Sequence, residues 1–233
     1  KCDLNKEIPD IEKTKHFLGL CQDSTFQVTQ IKKNKLVNKP PAPFITSSLQ
    51  QEANNKYKMS PKITMSHAQK LYEKGYITYH RTDSIILSKE AKEKIKDYIV
   101  THYGEEYHNE TDFKNKTENC QEAHEAIRPS NIDISRIDDE DMNEHEKKLY
   151  KLIWNRTVGS LMSSCKTEIT SSLIKGDKIK EYFFIYKTDK ILFDGFQKLY
   201  SSDKVKEPGY KLEKNETLQY SSIKGTEKYS SPS

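Results

Sequence analysis

Three prolines in four residues, Pro40-Pro41-Ala42-Pro43, set the strongest limit on how this chain folds. Proline has no amide donor and holds φ near about −65°, so neither a helix interior nor an inner strand runs through such a run. The prolines therefore mark a boundary or a stiff linker. The residues before them read as strand. Phe26-Gln27-Val28-Thr29-Gln30-Ile31 alternates with period two, the signature of a half-buried strand, and His16-Phe17-Leu18-Gly19-Leu20 is of the same type.

Beyond the prolines the period changes. Ser47 and Gln50 form a capping-box pattern ahead of a helix carrying Leu49, Ala53 and Tyr57. Pro61 opens a second helix with Met65, Ala68 and Tyr72 on one face, and Gly75 is its expected stop. Ser88 caps a third, whose inner face holds Ala91, Ile95, Tyr98 and Ile99. Residues 104–120 are polar, lack periodicity and read as loop. Asn143 and Glu146 then cap a long helix through Leu149, Leu152, Ile153, Trp154 and Leu161.

Strand texture returns after residue 164, in Thr167–Ile174, Glu181–Thr188, Ile191–Phe193 and Glu216–Ser222, with turns at Gly176-Asp177 and Pro208-Gly209. The run Tyr182-Phe183-Phe184-Ile185-Tyr186 reads as a buried strand. The expected fold is α+β and multidomain. An antiparallel, β-rich domain made of residues 1–39 and 165–233 is interrupted by a mainly helical domain at 40–164.

Composition narrows the function classes. The chain has 233 residues, 33% hydrophobic and 32% charged, with a net charge of +4. No apolar run approaches the ~18 residues that cross a bilayer. The opening Lys1-Cys2-Asp3-Leu4 lacks the pattern of a secretory leader, so an intracellular protein without a membrane partner is expected. Cys2, Cys21, Cys120 and Cys165 form no Cys-x-x-Cys pair and read as reduced thiols. The charge is uneven: residues 40–164 hold 18 Lys+Arg against 20 Asp+Glu, and the flanks hold 21 against 15.

Two stretches concentrate reactive side chains. The first is Gly75-Tyr76-Ile77-Thr78-Tyr79-His80-Arg81-Thr82-Asp83-Ser84. A tyrosine is a poor nucleophile while its pKa is near about 10. A neighbouring arginine favours the phenolate and stabilises charge on a transferring phosphoryl group. In extended backbone, Tyr79 and Arg81 point the same way and converge on one phosphate. The second is Gln121-Glu122-Ala123-His124-Glu125-Ala126-Ile127-Arg128-Pro129-Ser130. There His124 can donate to a phosphate, flanked by Glu122 and Glu125, which tend to hold a histidine protonated. Arg128 can pair with a carboxylate or bind a phosphate. The run Asp138-Asp139-Glu140-Asp141 reads as a solvated loop, and His16, His67, His102, His108 and His145 as surface residues.

In order and spacing the two stretches resemble the type IA DNA topoisomerases, the bacterial topoisomerase I branch most closely. The resemblance also runs through Pro43-Phe44-Ile45-Thr46-Ser47-Ser48-Leu49-Gln50-Gln51-Glu52-Ala53, Thr64-Met65, Leu71-Tyr72-Glu73 and Leu149-Tyr150. It extends to Leu192-Phe193-Asp194-Gly195-Phe196, which is similar to the family's Phe-Asp-Gly-Trp segment. The resemblance implies that Tyr79 is the nucleophile, attacking a backbone phosphate of single-stranded DNA to give a 5′-phosphotyrosine and a free 3′-hydroxyl. It implies that Arg81 positions the scissile phosphate and that His124 touches the DNA backbone. Thr78, Thr82, Asp83 and Arg128 are implied as further DNA-site residues. His80 stands where the bacterial branch commonly has methionine; histidine occurs there in reverse gyrases, which leaves the subfamily open.

The family's Mg²⁺ is held by carboxylates of a Toprim domain. Asp139 and Asp141 make an Asp-x-Asp pattern here, but position 143 is Asn and the strand-then-glycine context of that domain is lacking. The implied partners are single-stranded DNA and the Toprim and linking domains of the same protein. The chain is expected to be monomeric, with the β-rich part a hinge and the helical part a gate. Two other readings are a non-catalytic single-strand-binding module with the same fold, and a tyrosine recombinase. The second fits poorly, because the only arginines are Arg81, Arg128, Arg136 and Arg156.

Overall fold

The computed structural model describes residues 1–114, 124–200 and 209–227. These group into two compact units. The first gathers Lys1–Leu36, Thr167–Leu192 and the chain from Val205 on; the second gathers Val37–Lys166 and Phe193–Lys204.

The first unit is built on a five-stranded sheet of order β1-β4-β3-β2-β5, from Asp3–Leu4 (β1), Phe26–Asn38 (β2), Cys165–Gly176 (β3), Phe184–Phe193 (β4) and Thr217–Leu218 (β5). β1 runs antiparallel to β4 with Asp3 opposite Ile185, and β5 antiparallel to β2 with Leu218 opposite Phe26. The expected alternation holds at Phe26 and Val28, which are buried around exposed Gln27, and it fades toward the lysine-rich far end of β2.

The segment His16–Leu20 is not a strand. It lies in helix α1, Ile11–Gln22, whose N-cap Asp10 accepts the Lys13 amide at 2.7 Å. Helical spacing puts Phe17 and Cys21 on one buried face, where they pack with Phe26, Val28, Ile174 and Ile179. Tyr182–Tyr186 is half-buried and enters the strand only at Phe184, with Tyr182 and Phe184 packing on Phe17. Ile191–Phe193 is the end of β4, not a separate strand, and the last strand shrinks to Thr217–Leu218.

The second unit is helical: α2 (Thr46–Tyr57), α3 (Pro61–Glu73), α4 (Lys89–Tyr103) and α5 (Glu144–Ser160). The first turns of α5 are polar and partly exposed, but from Leu149 on it is buried through Leu149, Tyr150, Leu152, Ile153, Trp154, Thr157 and Val158, which makes it the central helix of the unit. Its Asn143–Glu146 capping box forms as expected. The large side chains also satisfy their polar ends: Trp154 Nε1 donates to Ile132 O at 2.8 Å and Tyr150 Oη to Ile134 O at 2.6 Å.

Three expectations shift by a residue or more. α2 starts at Thr46 with Ile45 at the cap, and it is the Ser48 hydroxyl, not Ser47, that accepts the Ile45 amide. The buried face of α3 is Thr64, Ala68 and Leu71, so Met65 is only half-buried and Tyr72 stays exposed. Residues 193–200, read from sequence with the strand flank, pack into the helical unit through Phe196 and Leu199. Gly195 makes that possible. Its φ is +51°, and a Cβ there would lie 2.3 Å from Ser163 O. Beside it Asp194 accepts the Tyr107 hydroxyl at 2.6 Å, which pushes the Tyr107 pKa up to about 12.

Candidate active site

The site begins where α3 ends. Gly75 adopts φ +76°, its amide donates to Tyr72 O at 2.8 Å, and the Tyr76 amide donates to Leu71 O at 2.9 Å. This is a Schellman stop, which ends the helix and turns the chain out of it.

Residues 76–84 are fastened from two sides. On one side lies the second motif: the Thr78 amide donates to Arg128 O at 2.9 Å, and the Ser130 amide to Tyr76 O at 3.0 Å. The Thr78 hydroxyl adds a donation to Ala126 O at 2.8 Å and accepts the Arg128 amide at 3.0 Å. On the other side stands the first turn of α2. The Thr46 amide donates to Thr82 O at 2.9 Å; its hydroxyl donates to His80 O at 2.9 Å and accepts the Thr82 amide at 3.0 Å. The Thr82 hydroxyl in turn accepts the Ser84 amide.

Burial then alternates residue by residue. His80, Thr82 and Ser84 are buried, whereas Tyr79, Arg81 and Asp83 face out. Tyr79 and Arg81 thus share exposure to solvent, although the chain is not the extended strand expected from the sequence: it bends at Thr78, His80 and Arg81. The surroundings of Tyr79 are aromatic. The ring is 40% exposed and has Tyr72 at 5.3 Å, His80 at 5.3 Å and half-buried His124 at 6.2 Å between centroids. Among the described residues the Arg81 guanidinium has no ion pair or hydrogen bond.

The other sequence candidates are committed to the scaffold. Arg128 donates through Nε and Nη2 to Glu125 at 3.1 and 2.6 Å, and through Nη1 to Pro129 O at 3.1 Å. The second Glu125 oxygen accepts the amide of Ser88, the N-cap of α4, at 2.6 Å. Burial works against the Glu125 charge, but the bonds from Ser88 and Arg128 outweigh it and hold the carboxyl below its ordinary range. Thr78 and Thr82 direct their hydroxyls to backbone. Gln121, Glu122 and Ala123, and with them the flanking role read for Glu122, lie outside the described residues.

The acidic run is anchored rather than loosely solvated. Lys74 reaches Asp139 at 2.9 Å and Asp141 at 3.0 Å, and the Tyr76 hydroxyl donates to Asp139 at 3.0 Å. The Lys74 bond, followed by that of the Asp141 amide, pulls the Asp139 pKa down to about 2. His67 also departs from the surface reading. It lies 3.3 Å from buried Glu146 and stacks on His145.

Two site residues go beyond the sequence reading. Tyr72 carries an aromatic ring beside the core face of α3, but the Thr64–Ala68–Leu71 register leaves it exposed against the Tyr79 ring. Thr46 acts on backbone groups 34 and 36 residues away; Glu125, read as a neighbour of His124, instead bonds Arg128 and the Ser88 amide.

An outward tyrosine beside an arginine and a histidine, on a segment braced from both sides, suits nucleophilic attack on a phosphodiester. The chain belongs to the DNA topoisomerase family, which it matches over residues 1–233. It is 41% identical over 203 residues to the DNA topoisomerase 1 type prokaryotic of Acanthamoeba polyphaga mimivirus, covering 84% of this chain and 24% of that protein. It is 36% identical over 226 residues to DNA topoisomerase 1 of Campylobacter jejuni, covering 91% and 32%. Among solved structures, full-length topoisomerase I from Thermotoga maritima aligns with a TM-score of 0.74 at 32% identity, over 94% of this chain and 36% of that one. The chain thus spans about a quarter to a third of these relatives' lengths. Among the described residues no helix is long and apolar enough to cross a membrane.

Proposed function

We propose that this chain is the strand-cutting portion of a type IA DNA topoisomerase of the bacterial topoisomerase I kind. Tyr79 Oη attacks a backbone phosphorus of single-stranded DNA. The new O–P bond replaces the bond from phosphorus to the 3′ oxygen, so the phenol loses its proton and the 3′ oxygen gains one. The reverse attack by that hydroxyl reseals the strand. The phosphodiester energy is kept in the tyrosyl ester, so no nucleotide cofactor is consumed. Arg81 holds the phosphate and stabilises its added charge, with exposed Asp83 two residues on; His124 contacts the neighbouring backbone. Thr78, Thr82 and Arg128 act as braces. The helical unit is the gate that carries the 5′ end away, and the sheet unit is the hinge.

The observation that supports this reading is the exposure of both Tyr79 and Arg81, two residues apart, with the His124 ring 6.2 Å from that of Tyr79. Among the described residues no group of three or more His, Cys, Asp or Glu side chains converges, and Asp139 and Asp141, both held by Lys74, do not suit Mg²⁺. In this reading the metal is held by Toprim carboxylates of the longer protein. The test is covalent trapping. The chain, a separately supplied Toprim domain, Mg²⁺ and a labelled single-stranded oligonucleotide are mixed and then denatured. Covalent label supports the reading. Reversible, salt-sensitive binding alone favours the non-catalytic module. The chain on its own is expected not to relax negatively supercoiled plasmid, and robust relaxation contradicts the division of labour.

A further inference from the structure

His80 is the one side chain of the Tyr79 segment whose burial lacks an evident reason. Its exposure is zero, and both ring nitrogens are buried without a hydrogen-bond partner among the described residues. Leaving a polar group unpaired inside a protein is costly, and a methionine-like side chain would fill the same space without that cost. The imidazole lies against two rings, Tyr79 at 5.3 Å and Tyr72 at 5.9 Å. Its backbone carbonyl is held by the Thr46 hydroxyl, which fixes the main chain while the ring points inward.

We propose that His80 is a positioning residue for Tyr79: the neutral imidazole is the seat on which the Tyr72–Tyr79 ring pair rests, and taking up a proton unseats the pair. The proposal rests on Tyr79 being the nucleophile.

The charged and titratable neighbours decide the sign. Arg81 follows in the same segment and opposes a second positive charge; Glu73 at the end of α3 favours one; Tyr72 and Tyr79 supply only ring faces. Burial first, and then Arg81, hold the His80 pKa below the ordinary histidine value, and Glu73 does not reverse this. An imidazolium next to Arg81, without acceptors, cannot stay in the seat. As the pH falls through the histidine range the ring must leave, and the Tyr79 ring loses its support. The stability the neutral ring permits is full above the ordinary histidine pKa. It declines below that value, because the unfolded chain takes up the proton first.

The experiment uses the 233-residue chain without DNA. Tyrosines are acetylated briefly with N-acetylimidazole between about pH 5 and 8, the range in which histidine titrates, and quantified by peptide mass spectrometry. Exposed Tyr210, far from the segment in sequence, is the internal reference. The ratio of Tyr79 to Tyr210 modification should rise several-fold as the pH falls. It should be flat in His80→Met, whose thermal midpoint should be higher and lose its acid decline. His80→Gln is polar but does not titrate; its ratio should also be flat, even if it melts lower. A flat ratio in the parent chain overturns the seat, as does a slope that persists in either variant. An ordinary, solvent-like titration of the His80 ring by NMR overturns it too. Because no DNA is present, failure of the seat is separable from failure of the nucleophile, which only the trapping experiment reads.

Discussion

The segment from Tyr79 to Ser84 and the segment from Glu125 to Ser130 are held against the same stretch of backbone, yet they use their charged residues in opposite ways. The first directs every second side chain outward and leaves the Arg81 guanidinium without a partner among the described residues. The second closes Arg128 onto Glu125 and Glu125 onto the Ser88 amide. Two arginines that both read as phosphate candidates in the sequence are therefore placed differently. Arg81 is exposed, whereas Arg128 is closed onto Glu125. Preorganisation is what makes a donor effective on a developing phosphoryl charge.

Substitutions can break the comparison. Tyr79→Phe should abolish covalent adducts in the trapping reaction and leave stability within about 0.5 kcal/mol, since an exposed hydroxyl is all that is removed. Arg81→Ala should lower adduct yield by on the order of 10²-fold, the scale of losing one such donor, with an unchanged melting curve. Arg128→Ala should show the reverse emphasis. It strands a partly buried Glu125 and should cost about 2 kcal/mol in chemical denaturation, less than a fully buried pair because both partners keep some solvent. A melting curve that falls for Arg81 and not for Arg128 would invert the assignment. Thr78→Val removes a bridge between the two segments and should cost about 1–2 kcal/mol.

The smallest expected effect concerns the acidic loop. The Asp139 carboxyl, held at about 2, contributes stability that is complete above its ordinary pKa. That contribution is lost as the pH falls from there through about 2, because the unfolded chain protonates first. Asp139→Asn should flatten the acid limb of a thermal-stability profile and change little at neutral pH.

The alternation of exposure along the candidate segment was legible in the sequence because it is local. Gly75 stops a helix, and Tyr79 and Arg81 are exposed around buried His80, although the chain bends there instead of running straight. The pairing of the two motifs was not legible. It depends on backbone bonds such as Thr78 to Arg128 and Thr46 to Thr82, which leave no pattern in either partner. Three other features misled for different reasons. His16–Leu20 is too brief to separate period two from a helical period, and the Asp10 cap decides it. Tyr72 lies one position from the buried register of α3, so a face assigned from aromatic content turned it inward. The stretch 194–200 follows β4 without a break, and its packing on the helices, through Phe196 and Leu199 and the close approach at Gly195, leaves no local pattern.

The most direct test of the central claim is to map the adduct. The trapped complex is digested and the peptide carrying the nucleotide is sequenced by mass spectrometry. The account predicts a 5′-phosphoryl ester on Tyr79 and a free 3′-hydroxyl on the released fragment. An ester on Tyr76 or Tyr72, or a 3′-phosphoryl link, would contradict it.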